Sequence, residues 1–137
     1  MVILVDTNVI LDYLAEREGF FDDARKIMEV CANGEIQGCV AFHSLPNIWF
    51  ILRKKPNDIR REMLKQICTL LSVVSAGHDA VVKAVETVEF QDFEDCLQDK
   101  CAIAAKADYI VTRNIADYQS ADTKTITPGE FCRLIRK

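Results

Sequence analysis

The sequence predicts an α/β fold in which helices cover both faces of a central, mostly parallel, twisted sheet of about four to five strands. Short runs that are apolar throughout, typical of strands buried on both faces, occur at 2–5 and 109–112. Segments of helical periodicity separate such runs, and strands that alternate with helices indicate a parallel sheet. The 137 residues suit one domain, and no linker or repeat divides them.

The first half of the chain is predicted to contain two strands and four helices. After the strand at 2–5, apolar residues recur every three to four positions, which predicts helices over 7–18 and 20–33. Gly34 then ends the second helix, because glycine adopts the left-handed conformation of a helix C-terminus. The remaining predicted elements are a strand at 38–42, a helix at 45–54 with Ser44 as N-cap, and a helix from Pro56 to about Leu71.

The second half continues the alternation of strands and helices. The last helix has the clearest start signal, with Thr127 as N-cap, Pro128 at the first position and Glu130 three residues after the cap. The other predicted elements are a strand at 73–74, a helix at 77–88, a helix from Asp92 through 105, and strands at 109–112 and 125–126.

The cysteine pattern indicates reduced thiols. The chain has six cysteines and two histidines, with irregular spacing and no CxxC pair, so a zinc site is poorly supplied with ligands. Several cysteines lie in apolar helical patterns, where free cysteine acts as a small hydrophobe. No basic leader follows Met1, and no apolar run approaches the ~20 residues that span a membrane. We therefore expect a cytoplasmic protein with buried, reduced cysteines and no membrane segment.

The charge of the chain limits the ways in which it can bind nucleic acid. The net charge is −4, which argues against a protein coated in positive charge. It leaves a nuclease open, because a site that holds divalent cations needs local carboxylates that lower the total charge.

Polar residues cluster where predicted strands end and helices begin. In open α/β sheets, ligands bind outside the carboxyl ends of the strands, so these clusters mark the predicted site. The candidate site residues are Asp6 after the first strand, Asn47 in the third helix, Asp95 in the sixth helix, and Asn114 and Asp117 after the strand at 109–112.

Each candidate also has a purely structural explanation. Asp6 would suit as a helix N-cap, Asp92 and Asp95 have the spacing of a local capping arrangement, and Asp117 is an ordinary turn residue. The combination is more informative. Carboxylates that converge at one sheet edge repel one another, and a divalent cation is their natural counter-charge. Oxygen ligands favour Mg²⁺ or Mn²⁺ over zinc, and such a site suits hydrolysis of phosphodiesters.

Four segments resemble the motifs of PIN domains. The segment ILVDTNVILDYL at 3–14 is similar to the family's opening, and HSLPNIWFILRK at 43–54 is similar to its second motif. The third motif and the strand beyond it resemble 92–118, and TPGEF at 127–131 resembles the closing helix of one bacterial subgroup. The resemblance implies a PIN-like three-layer α/β/α fold in a single domain, 1–137. It also implies a metal-dependent ribonuclease, many of which are VapC-type toxins held inactive by an antitoxin.

The resemblance assigns roles to the candidate residues. Asp6 matches the first acid of the family and Asp95 the third, whereas Asn47 stands at a position that is usually Glu and Asn114 at one that is usually Asp. The subgroup with these asparagines uses Asp117 as the replacement acid. All five residues are therefore predicted catalytic residues, and Asp6, Asp95 and Asp117 are the predicted ligands of one Mg²⁺ or Mn²⁺ ion.

The leading functional hypothesis is an endoribonuclease, the toxin of a type II toxin–antitoxin pair, that acts as a homodimer. The alternative is a PIN-fold protein with weak or no catalysis that binds RNA or a protein, which Asn47 and Asn114 favour. A phosphatase with Asp6 as nucleophile is a third hypothesis, weakened by Asn8 where such enzymes commonly carry a second Asp. Basic residues expected to guide RNA, or simply to be solvated, are Arg53, Lys54, Lys55, Arg60, Arg61 and Arg113.

Overall fold

The computed structural model describes residues 1–136, which alternate between strands and helices along the whole described chain. The strands are β1 (Val2–Val5), β2 (Gln37–Ala41), β3 (Ser72–Val74), β4 (Tyr109–Val111) and β5 (Thr125–Ile126). The α-helices are α1 (Thr7–Leu14), α2 (Phe21–Ala32), α3 (Ser44–Ile51), α4 (Asn57–Leu70), α5 (His78–Glu86), α6 (Phe93–Ala104) and α7 (Pro128–Ile135), and a short 3-10 helix spans Ile115–Tyr118.

The five strands form one parallel sheet in the order β3-β2-β1-β4-β5. β1 is central, and Leu4 pairs with Cys39 of β2 on one side and with Ile110 of β4 on the other. Because every strand runs in the same direction, all carboxyl ends lie along one edge of the sheet. The predicted parallel sheet is confirmed.

Helices cover both faces of the sheet. Ile3 and Val5 pack into a core with α1, α2, α3, α4 and α7, whereas Leu4 packs into a second core with α5 and α6. Successive side chains of a strand point to opposite faces, so β1 is apolar throughout because both its faces are buried. The three-layer α/β/α arrangement follows, as predicted.

Three helices end earlier than predicted. α1 stops at Leu14 instead of 18, because Glu16 and Gly19 adopt positive φ angles of 47° and 87° in the turn that follows. α3 stops at Ile51 instead of 54, and α5 stops at Glu86 instead of 88. A turn follows each of these helices, and the spacing of apolar residues does not show where a helix gives way to a turn. Gly34 has a φ of 84° after α2, as its predicted role in ending that helix requires.

The structure contains all six cysteines unpaired, and their predicted burial is confirmed for most of them. Five are buried and Cys68 is exposed. Burial, and after it the nearby Cys39, raises the pKa of the Cys31 thiol to about 12. The thiol therefore stays protonated and unreactive. Within the described residues, no helix is both long enough and apolar enough to cross a membrane.

Candidate functional site

Asp6 lies at the carboxyl end of the central strand and begins α1. Its Oδ1 accepts a hydrogen bond from the backbone amide of Thr7 at 2.7 Å, so the predicted helix cap is real. Its own amide donates to the carbonyl of Val111 in the neighbouring strand at 3.0 Å. Asp6 is only 5% exposed. The end of β1 therefore carries a buried carboxylate that capping explains only in part.

The other oxygen of Asp6 receives three further donors. Oδ2 accepts hydrogen bonds from the hydroxyls of Thr112 at 2.8 Å and Tyr118 at 2.9 Å, and from Asn8 Nδ2 at 3.3 Å. Burial raises the pKa of Asp6, and the hydrogen bonds from Thr112 and Tyr118 oppose that rise. The fold thus holds this carboxylate in one orientation in a place where its charge is costly.

Asp95 lies in the first turn of α6 and is not used as a helix cap. Asp92 is the N-cap, since its Oδ1 accepts the Asp95 amide at 3.0 Å. The Asp95 carboxylate instead accepts a hydrogen bond from the Tyr118 hydroxyl at 3.2 Å. Burial, followed by repulsion from Asp6 and Asp92, raises the pKa of Asp95 to about 7. Asp6 and Asp95 therefore come close enough for each charge to act on the other.

Tyr118 joins these two carboxylates, a role that the sequence analysis did not predict. It ends the 3-10 helix, is 3% exposed, and packs edge-on against Phe90 with 6.2 Å between ring centroids. A tyrosine in such a segment is normally explained by packing of its ring alone. Only the approach of the 115–118 segment to β1 and α6 shows that its hydroxyl belongs to the site.

Asn47 faces the same cleft from α3. Its Nδ2 donates to Glu94 Oε2 at 2.9 Å, and a ring nitrogen of the neighbouring His43 lies 3.2 Å from the Glu94 carbonyl oxygen. These contacts hold α3 against α6. Since the amide nitrogen of Asn47 contacts Glu94, its carbonyl oxygen is the atom that remains suited to ligate a cation.

A polar group lies behind the cleft wall. The hydroxyl of Ser44, which is fully buried, is bonded to Gln98 Nε2 at 2.7 Å and to Thr7 Oγ1 at 2.9 Å. The prediction that Ser44 is the N-cap of α3 is wrong: it is the first residue of the helix, and His43 holds the cap position. The Oε1 atom of Gln98 is buried and has no hydrogen-bond partner within the described part of the chain.

The cleft brings together four of the five predicted site residues. Its lining includes Asp6, Asn47, Asp95 and Asn114. Asp117 lines a separate cavity together with Asp92, although its charge contributes to the raised pKa of Asp95. Across residues 1–136, no three His, Cys, Asp or Glu side chains converge to hold one ion. The three-carboxylate ion site therefore stays a prediction.

The donor atoms of the cleft nevertheless fit an oxygen-preferring cation. Two carboxylates repel each other there, and the buried Gln98 Oε1 lacks a donor among the described residues. Mg²⁺ typically takes one or two protein carboxylates and completes its shell with water or substrate oxygens. The residues that would hold such an ion are Asp6 and Asp95, with neutral oxygens from Asn47, Gln98 and Asn114 nearby.

Arg113 does not face the cleft, although the sequence placed it among the basic residues that would guide RNA. Its guanidinium donates to both carboxylate oxygens of Asp12, at 2.7 and 3.2 Å, and stacks over the ring of Phe20 at 4.0 Å. The Asp12 side chain is 1% exposed and also lies 3.4 Å from Arg17. Arg113 thus neutralises the buried carboxylate of Asp12, a residue within the first quoted segment to which the sequence analysis gave no role.

Residues 2–116 match the family model described as the PIN domain. The chain belongs to the PIN domain family. This match confirms the PIN-domain resemblance over the first two motifs and over the third as far as residue 116, and it covers the residues that line the cleft.

One named relative and two solved structures are similar to this PIN domain protein over nearly its whole length. Ribonuclease VapC1 of Aquifex aeolicus (strain VF5) is 24% identical over 136 residues, which cover 95% of this chain and 92% of that protein. A similar solved structure is VapBC2 from Rickettsia felis bound to a DNA fragment from its promoter. It has a TM-score of 0.72 and 16% identity, and the match covers 93% of this chain and 98% of that chain.

A second solved structure gives the same result. VapBC-1 from nontypeable Haemophilus influenzae matches with a TM-score of 0.69 and 16% identity, over 94% of this chain and 99% of that chain. At this identity the likeness establishes a shared fold.

Proposed function

We propose that this protein is a metal-dependent endoribonuclease that hydrolyses RNA phosphodiester bonds with Mg²⁺ or Mn²⁺. One observation carries the proposal: Asp6 and Asp95, from separate segments, meet at the Tyr118 hydroxyl along the carboxyl edge of the sheet. A relative named as a ribonuclease supports the class of reaction. Asp117, which follows Asn114 by three residues, is the third proposed ligand.

The chain's own residues prepare the site for this reaction. Thr112, Tyr118 and Asn8 orient the Asp6 carboxylate, and the Thr7 amide fixes its second oxygen. A bound divalent ion supplies an activated water and offsets negative charge in the transition state. Asn47 and Asn114 contribute neutral oxygen atoms, so the site carries less charge than one built from four acids.

Replacing Asp6 by Asn tests the proposal, because it removes a ligand charge while an Asn can still cap α1. We expect loss of Mn²⁺-dependent RNA cleavage, measured on structured RNA with Mn²⁺ or with chelator. Asp95→Asn should give the same loss, whereas Asp79→Asn, an exposed acid on α5, should cleave like the wild type. Full activity in both cleft variants would refute the nuclease assignment.

We also propose two partners. An antitoxin would hold the nuclease inactive, and two of the similar structures are VapBC assemblies. A second copy of the chain would form a homodimer. The antitoxin proposal predicts a short reading frame beside the gene, and the test expresses its product together with this chain. Co-purification and suppressed RNA cleavage support it, and free, active nuclease in the presence of that product contradicts it.

A protein with the PIN fold but without useful catalysis is the second candidate. It is favoured by the neutral Asn47 and Asn114 and by the absence, among residues 1–136, of three converging ligand side chains. The same cleavage assay separates the two functions. RNA binding without cleavage in either Mg²⁺ or Mn²⁺ would identify a binding module.

A further inference from the structure

We propose that Phe50, with the guanidinium of Arg53 stacked on it, forms a subsite that binds an unpaired nucleobase beside the acidic cleft. The proposal deepens the proposed function and rests on it in one respect, that RNA is the substrate. It assigns the ligand class of the subsite as single-stranded RNA with its bases free to stack.

Phe50 is an exposed aromatic residue in the wall of the cleft. It lines the same cleft as Asp6 and Asp95, and it is 62% exposed. The core contacts of this segment come from Ile48 and Leu52, which are 0% and 8% exposed. Packing of α3 therefore does not account for Phe50. Beside Leu11 and Ile51 in the cleft lining, its ring provides the kind of flat apolar surface on which a base stacks.

Arg53 holds a cation against this ring. Its Cζ lies 4.3 Å from the centroid of Phe50, and its Nη1 donates to the Phe50 carbonyl at 3.2 Å. Phe50 lies in the last turn of α3 and Arg53 two residues after its end, so both groups belong to one short segment that holds them together. Aromatic rings with arginine beside them bind single strands, because the ring stacks on a base and the guanidinium attracts the backbone.

The neighbouring aromatic residue, Trp49, has a different role. Arg60 lies 3.9 Å from its ring centroid and donates to its carbonyl at 3.1 Å, and Arg61 lies 5.5 Å away. Two guanidinium groups already approach this half-buried ring, and they tie the start of α4 to α3. Trp49 therefore fixes the helical hairpin that presents Phe50.

The charge around Phe50 complements RNA. Residues 53–65 contain six Lys or Arg and two Asp or Glu, a local net charge of +4, in a chain whose 17 Lys or Arg and 21 Asp or Glu give −4. Nearly all these cations are exposed. An acidic cleft repels a phosphate backbone, so a strand reaching Asp6 needs a basic approach, which this segment supplies. A ring flanked by concentrated positive charge favours a nucleic acid over an apolar protein surface.

The test measures RNA binding separately from cleavage. A fluorescently labelled single strand of about 12 nucleotides is titrated with protein in chelator, and its anisotropy is recorded. Phe50→Ala and Phe50→Leu should each weaken binding about 5- to 150-fold, the range of one lost base stack. Phe50→Trp should bind like the wild type, and Val85→Ala, at an exposed position on α5, serves as the control.

Two further measurements sharpen the result. Arg53→Gln should lower the slope of log affinity against log salt by about 0.7, the value for one phosphate contact on a single strand. A fully paired duplex should bind Phe50→Leu and the wild type equally, because its bases are already stacked.

The outcomes separate the subsite from the proposed nuclease. Weak binding by the Ala and Leu variants, with no Mn²⁺-dependent cleavage by the wild type, would support the subsite and refute the nuclease. Wild-type affinity in Phe50→Leu would overturn the subsite whether or not RNA is cleaved, since leucine keeps the apolar surface and loses the flat ring. Failure of the wild type to bind the strand would overturn the subsite as well.

Discussion

Asp6 and Asp95 accept hydrogen bonds from one and the same hydroxyl group, that of Tyr118, at 2.9 and 3.2 Å. A phenol carries a single proton, so it satisfies one carboxylate fully at any moment. The two acids are thus held together by a donor that cannot neutralise both. Because the two acids share one donor, we expect the stability of the protein to depend on the Tyr118 hydroxyl, on pH and on a cation bound between the acids.

Removing the hydroxyl should destabilise the metal-free protein. Tyr118→Phe leaves two repelling carboxylates without their common donor, and a hydrogen bond to a charged group contributes about 1.5–3 kcal/mol. We expect the free energy of unfolding at pH 8, measured by urea denaturation in chelator, to fall by about that amount. Mn²⁺ should restore part of it, because a cation replaces the lost donor.

Tyr109→Phe is the matched control, since Tyr109 lies in β4 away from the two acids. Equal stability loss in both tyrosine variants, or no recovery with Mn²⁺ in Tyr118→Phe, would contradict this explanation.

Asp95 should make the metal-free protein less stable as the pH rises. Its folded pKa of about 7 exceeds the ordinary value of about 3.9 in the unfolded chain, so the folded state binds the extra proton between these values. The contribution of Asp95 to stability is therefore greatest below about pH 4. That contribution falls as the pH rises from about 4 to about 7, and the free energy of unfolding decreases by no more than about 1.4 kcal/mol per pH unit.

The measurement is the unfolding free energy from pH 4 to 8 in chelator, compared between the wild type and Asp95→Asn. The variant should show a flatter profile, with Asp79→Asn, an exposed acid on α5, following the wild type. A profile in Asp95→Asn as steep as the wild type would show that other groups set the dependence.

The ion pair between Arg113 and Asp12 should be a stability determinant. Arg113→Gln leaves a carboxylate that is 1% exposed with Arg17 still 3.4 Å away, and removing one partner of a buried pair costs about 3–5 kcal/mol. We expect a loss near the lower end of that range, because the Arg113 side chain is 28% exposed. Thermal and urea unfolding measure it.

Two comparisons give that prediction its specificity. Arg113→Gln combined with Asp12→Asn should recover much of the loss, since no buried charge remains. Arg25→Gln, which breaks a pair with Glu29 whose side chains are 42% and 59% exposed, should change stability by less than about 1 kcal/mol. Equal effects of the two arginine changes would contradict a special role for Arg113.

The proposed homodimer predicts a mass of twice the chain in solution. Exposed apolar residues on the first-half helices, including Ile59 at 45% exposure, are compatible with a contact surface there. Light scattering coupled to size exclusion measures the mass. A monomer at high micromolar concentration would contradict the prediction, and Ile59→Glu should shift a real dimer towards monomer if α4 contributes.

Much of the candidate site was accessible to sequence reasoning. Asp6, Asn47, Asp95 and Asn114 were predicted to share an edge of the sheet, and they line one cleft. The prediction worked because strand ends and helix starts are encoded locally, and a parallel sheet brings all carboxyl ends to one side. Asp117 was predicted among them and lines a neighbouring cavity, because the 3-10 turn after Asn114 decides which way its side chain points.

The sequence by itself determined the elements whose chemistry is local. The capping group of α7 formed as predicted, with the Glu130 amide donating to Thr127 Oγ1 at 3.2 Å, because three residues of spacing suffice to place it. The apolar strands formed because both faces of the sheet are covered. Tertiary structure alone decided that Tyr118 would bridge Asp6 and Asp95 and that Arg113 would turn to Asp12. Those partners are 23 to 112 residues apart in sequence, and only the packing of helices on the sheet brings them within hydrogen-bond distance.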